Sequence, residues 1–169
     1  MSTAMMLVSF LTAWLHFAFP AAVTPASFKN PIPKTVPATL NKSVMLQLVN
    51  QVRQSGCKCG DTYYYPVPAV KWNTQLEAAA YNHSYSMQVN NFFSHIGPDG
   101  SRGGKRIAAV GYQWRAYGEN IAQGYKTEKE VVEGWIKSPG HCKNIMNKMY
   151  KEMGVARVGN YWTQEFASR

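Results

Sequence analysis

Three side chains in this 169-residue sequence are of the types that bind metal ions or move protons at neutral pH: His95, Glu119 and His141. His95 and Glu119 are joined by residues 91–120, NFFSHIGPDGSRGGKRIAAVGYQWRAYGEN, and His141 lies in SPGHCKNIM. Two imidazoles and a carboxylate suffice to hold zinc with a position left for water, Glu119 acting as third ligand or as base. No H-E-x-x-H helix fixes their geometry locally, so three separate elements must bring them together. A Ser138–His141 nucleophile pair is a weaker arrangement, because Ser138 stands where a helix needs its cap.

The elements that would position these groups can be read from spacing. Ser43 is expected to cap a first helix whose apolar positions Met45, Leu48, Val49 and Val52 recur at helical intervals, with Gly56 ending it. Residues 57–71, rich in cysteine, tyrosine and proline, read as an irregular loop. Asn73 caps a second helix that carries Leu76, Ala80, His83 and Met87 along one face, His83 being a hydrogen-bonded core histidine. His95 follows in a turn-rich loop, where Arg102, Lys105 and Arg106 read as a solvated segment rather than a phosphate-contacting loop, since their spacing matches no phosphate-loop pattern. RIAAVGY suggests a short helix, and a strand around Tyr117–Ala122 carries Glu119.

Thr127-x-x-Glu130 is a capping box for a helix with Val131, Val132 and Trp135 inward. Ser138 and Pro139 open another helix and place His141 in its first turn, where the helix dipole favours a neutral imidazole. The end is a hairpin, MGVARV and YWTQEFA about a type II′ Gly159-Asn160 turn. In its second strand Trp162, Gln164 and Phe166 share one face, and Tyr161, Thr163 and Glu165 the other. Helices flanking a small sheet make an α+β, three-layer α-β-α domain.

Residues 1–26 hold no charged side chain, and Met5–Phe19 is mostly apolar. That run is shorter than the roughly 20 residues of a membrane span and suits a signal peptide with Ala26 at the cleavage position. Residues 27–42 then form a Pro-rich linker, and 43–169 the domain. This organisation implies a secreted or periplasmic protein with no transmembrane domain after cleavage. The net charge of +9 favours anionic partners, but no Lys/Arg run exceeds two residues and no nucleic-acid module is present, which excludes specific nucleic-acid binding. The three cysteines, Cys57, Cys59 and Cys142, suggest one disulfide and a spare thiol in an exported chain; a zinc site on C-x-C is the competing arrangement.

Four segments occur in the order seen in the CAP superfamily of cysteine-rich secretory, antigen 5 and pathogenesis-related proteins (SCP-like extracellular domains). They are HSYSMQVNNFFSHIGPDG, GYQWRAYGENIAQG, VVEGWIKSPGHCKNIM and GNYWTQEFA. The resemblance covers residues 43–169 and is closest to the bacterial single-domain type. It implies an α-β-α sandwich with a central antiparallel sheet, and a cleft whose two histidines and two glutamates bind a divalent metal, often zinc. His95 and Glu119 match the first histidine and glutamate. Ser138 and Tyr161 stand where the second glutamate and histidine would be, and His141 of the bacterial SPGH segment is the substitute. Glu133, before the tryptophan, stays outside the set. The resemblance also implies a Cys59–Cys142 bridge, closing a loop of about 84 residues, with Cys57 left over.

The function expected on these grounds is a monomeric extracellular binding module for a lipid, glycan or peptide. Tyr63, Tyr64, Tyr65, Trp114 and Tyr117 suit an apolar or sugar groove. The alternatives are a structural role, in which His95 and Glu119 hydrogen-bond and tie loop to sheet, and a metal-dependent hydrolase of peptidase or esterase type using His95, Glu119 and His141.

Overall fold

Helix α1 (Lys42–Ser55) starts from Asn41, which has extended backbone and accepts the Val44 N–H at 3.2 Å. Ser43, the expected cap, already lies inside the helix and donates its hydroxyl to the Asn41 side chain instead. The structure, a computed structural model, describes residues 40–169. The expected signal peptide (1–26) and most of the linker (27–42) lie outside the described residues, and α1 takes up Lys42 from the linker's end.

Residues 57–71 are more regular than expected. Strands β1 (Cys57–Cys59) and β2 (Thr62–Tyr64) form a hairpin, and β3 (Lys71–Trp72) follows. Segments of two or three residues are too short to show a period, so only their pairing partners reveal them. Helix α2 (Thr74–Asn90) is capped by Asn73, which accepts from Gln75 and Leu76 N–H, and it ends at Asn91 in the left-handed region. It buries Leu76, Ala80, His83 and Met87. Helix α3 (Gly103–Ala109) begins in the segment read as solvated loop.

The remaining elements are β4 (Ala116–Gln123), α4 (Glu128–Lys137), α5 (Pro139–Ile145), β5 (Glu152–Val158) and β6 (Tyr161–Ser168). Thr127 caps α4 by accepting the Glu130 N–H. Ser138 sits at the N-cap of α5 but makes no side-chain cap bond. Gly159, at φ 57°, turns β5 into β6 with Val158 and Tyr161 paired, and Asn160 needs no positive φ, which fits the type II′ turn.

The main sheet has the order β3–β5–β6–β4. Its long pairs, β5–β6 and β6–β4, are antiparallel; the two-residue β3–β5 pair is parallel, a departure from the all-antiparallel expectation. Helices α1, α4 and α5 bury Met45, Val49, Val132, Trp135 and Ile145 against one face, with Trp162 and Phe166 of β6. Helices α2 and α3 cover the other through Leu76, Met87 and Ile107, packed with Ile121, Tyr161 and Ala167. All of β6 is therefore buried, although its two faces meet different layers. The result is the three-layer α-β-α, α+β architecture.

One further tie crosses these elements. Arg53 of α1 is fully buried, and its guanidinium donates to the carbonyls of Pro68, Ile145, Asn147 and Tyr150. Those carbonyls belong to the approach to β3 and to the connection between α5 and β5.

Candidate functional site

Strand β4 is an outer strand, so side chains from both helical layers meet across its edge. Successive residues of a strand point to opposite faces. Glu119 turns toward α3, and Asn120 toward α5. Asn120 donates to the His141 carbonyl at 3.2 Å and to Gln164 at 2.9 Å, and Asn144 of α5 donates to Asn120 at 2.9 Å and to the Glu119 carbonyl at 3.1 Å. This amide network fixes the helix carrying His141 against the strand carrying Glu119.

His95 arrives from the other layer. Its Nδ1 lies 2.6 Å from Glu119 Oε1, and its ring centroid is 6.4 Å from that of His141. The second carboxylate oxygen, Oε2, accepts from Arg106 of α3. Arg106 also donates to the Ser101 carbonyl at 2.7 Å and to the His95 carbonyl at 3.1 Å, holding the loop between them. Its side chain is only 10% exposed, which corrects the reading of this arginine as part of a solvated loop. An arginine in a turn-rich stretch looks solvent-facing in sequence; its ion partner lies 13 residues away on a strand.

A second carboxylate sits beneath the first. Glu165 of β6 is directly paired with Glu119 of β4 and is fully buried. Neither of its oxygens meets an N–H or hydroxyl donor. Burial, and then the neighbouring charge of Glu119, push its carboxyl well above the ordinary range and favour its protonated form. For Glu119, burial alone would also raise the pKa. The hydrogen bond from His95, the neighbouring carboxyl of Glu165 and the charge of Arg106 outweigh burial and hold it at about 2. The alternation of β6 put Glu165 on a face with Tyr161 and Thr163; the cross-strand register that makes it a partner of Glu119 has no local signal.

Because Glu119 is ionised, the His95 Nδ1 carries the proton between them, which in the neutral ring leaves the lone pair on Nε2. His141 is half-buried; burial, then the field of His95, lower its pKa and keep it neutral. His95 and His141 thus bring two imidazole rings together, with Glu119 behind His95 and both of its oxygens engaged. Among the described residues, the one set of three His, Cys, Asp or Glu ligand atoms lying within 4.8 Å of one another is Cys57, Cys59 and Cys142. Cys59 is bonded to Cys142, and Cys57 stands beside the bridge.

The other positions of interest lie elsewhere. Tyr161 is buried beside Met87 and Ile121, and Glu133 is exposed and pairs with Lys129. His83 places Nε2 2.9 Å from the Ser94 carbonyl, while its buried Nδ1 has no partner.

The profile of the cysteine-rich secretory protein family, CAP, matches residues 46–166, and the chain belongs to that family. It is 38% identical over 96 residues to the uncharacterized protein YkwD of Bacillus subtilis, covering 56% of this chain and 37% of that one. It is 30% identical over 131 residues to the uncharacterized membrane protein YlbC of the same bacterium, covering 78% and 35%. The chain thus spans little more than a third of the length of either relative. Among solved structures, an extracellular SCP-domain protein of Bacillus anthracis is similar at TM-score 0.67 and 28% identity, over 75% of this chain and 40% of that one. An outer surface protein of Borrelia burgdorferi shares the fold at TM-score 0.65 and 17% identity, over 75% and 91%.

Proposed function

We propose that this CAP domain is an extracellular binding module whose cleft holds a divalent cation, zinc or a metal of similar preference, between His95 and His141. The observation that carries the reading is the 2.6 Å bond from His95 Nδ1 to Glu119, with the His141 ring 6.4 Å from that of His95. A carboxylate on one imidazole nitrogen fixes the tautomer and leaves the other to a metal. Glu119 acts behind His95 rather than as a direct ligand, because Arg106 and His95 occupy both of its oxygens. A bound cation would act as a Lewis acid toward an acidic or carbonyl group of the ligand. Arg106 and Glu165 keep Glu119 in place, and Asn120 and Asn144 keep α5 in place.

The aromatic residues support an apolar-ligand version less well. Four of the five form two pairs, Tyr63 with Tyr65 and Trp114 with Tyr117, and Tyr64 packs against the core. Neither pair lines the open groove of about 640 Å³ bounded by Leu40, Tyr81 and Val155.

The test is a zinc titration by calorimetry on the metal-stripped protein. One equivalent should bind, His95→Ala and His141→Ala should each abolish binding, and Glu119→Gln should weaken it by about 10–100-fold. Absence of binding to the unsubstituted protein would overturn the cation site. The same Glu119–His95 pair is also the geometry of a general base, which favours the hydrolase as a second reading. Peptide and ester turnover, present with or without zinc and lost in His95→Ala, would establish it.

A further inference from the structure

Three cysteine sulfurs share one place beside α5. Cys59 and Cys142 form the disulfide, and both are buried, at 2% and 0% exposure. Cys57 is half-buried; its Sγ lies 3.5 Å from Cys142 Sγ and 3.9 Å from Cys59 Sγ. The arrangement follows from strand geometry. Residues i and i+2 of a strand project to the same side, so the C-x-C of β1 aims both of its sulfurs at α5. The β1–β2 hairpin is a separate two-stranded sheet, outside the main ladder. Cys142 is thus bonded to one sulfur of β1 and has the other 3.5 Å away on the same side.

Thiol–disulfide exchange needs a thiolate with access to a disulfide sulfur. We propose that Cys57 exchanges with Cys59 for Cys142, making the bridge a relay through which external thiols and disulfides reach a buried disulfide. The Cys57 thiolate bonds to Cys142 Sγ as the Cys59–Cys142 bond breaks; Cys59 leaves as thiolate and takes up the proton that Cys57 released. The numbers of thiols and disulfides are unchanged. In the resulting Cys57–Cys142 isomer, a small external thiol attacks the more accessible Cys57 sulfur and releases Cys142 as a thiol. A second external thiol then frees Cys57, and the two external thiols depart as one disulfide. Oxidation runs the same steps backward.

The two sulfur distances are nearly equal, so Cys57 stands beside the bond rather than on its axis, where they would differ by about 2 Å. Rotation of the Cys57 side chain brings it into line. Burial raises the Cys57 thiol pKa, so exchange quickens at alkaline pH. Cys142 directly follows His141, and the isomer formed decides which end of β1 anchors the helix that carries this histidine.

The experiment uses the full chain with a chelator present, so that no metal occupies the three sulfurs. The native protein is incubated at mildly alkaline pH, quenched in acid, unfolded and alkylated, and the labelled cysteine is mapped by mass spectrometry. The label should divide between Cys57 and Cys59. In parallel, reduction of the bridge in the folded protein by a small dithiol should be at least about tenfold slower in Cys57→Ser than in the unsubstituted chain, for want of the accessible sulfur. Label on Cys57 alone after prolonged incubation overturns the proposal, and so does equal reduction of the two proteins.

Discussion

Glu119 receives a hydrogen bond from His95, a charge-assisted one from Arg106 and a proton-bearing neighbour in Glu165. Removing Arg106 leaves a buried carboxylate without its counter-ion, which typically costs about 3–5 kcal/mol. Arg106→Met should lose stability of that order in urea unfolding; a near-neutral result would mean that Glu119 is protonated in the fold. The two glutamates respond oppositely to pH. Glu119 is depressed, so its contribution is present above its ordinary value of 4.5 and is lost as pH falls toward about 2. Glu165 is raised, so its contribution is fully present below 4.5 and is lost as pH rises through its folded value. Glu165→Gln keeps the shape and the neutral state while removing that loss. Its Tm should change little at about pH 4 and rise relative to the unsubstituted protein at about pH 8. An equal shift at both pH values would show that Glu165 is not the proton holder.

At the level of elements, the caps were legible where a short polar side chain and an amphipathic run adjoin, as at Asn73 and Thr127. Capping is local chemistry, and spacing suffices to see it. Ser43 was misread because Asn41, two residues earlier, offers the better-placed acceptor, a competition that depends on where the backbone turns helical. The contact between α2 and β5 was not legible at all. Gly154 of β5 passes so close beneath the start of α2 that an added Cβ would meet the backbone of Leu76 and Glu77. Backbone cannot swing aside as a side chain can. Gly154→Ala should therefore cost at least the roughly 1–3 kcal/mol of ordinary overpacking. A stability within a few tenths of the unsubstituted protein would mean that α2 lifts freely off the sheet.

For the molecule as a whole, the bridge between Cys59 and Cys142 spans 83 residues and links the hairpin after α1 to α5. Chain-entropy arguments give such a loop about 4–5 kcal/mol, often less in practice. Cys142→Ser should lower stability toward that figure in denaturant unfolding; no loss would mean that Arg53 and the helical layers already hold these segments. The layers also explain the site's location. His95 and Glu119 are joined by one covering layer and His141 rides on the other, and they meet only at the outer strand β4.

The family and the sandwich were readable from motifs in chain order, because periodicity, caps and turn residues act over a few positions. The carboxyl pair, the burial of Arg106, the parallel β3–β5 contact and the closeness of Cys57 to the bridge were decided by tertiary structure alone. Each depends on which residues a register or a layer sets opposite one another. That choice is made by packing across 13 to 85 residues of sequence, beyond the reach of any local pattern.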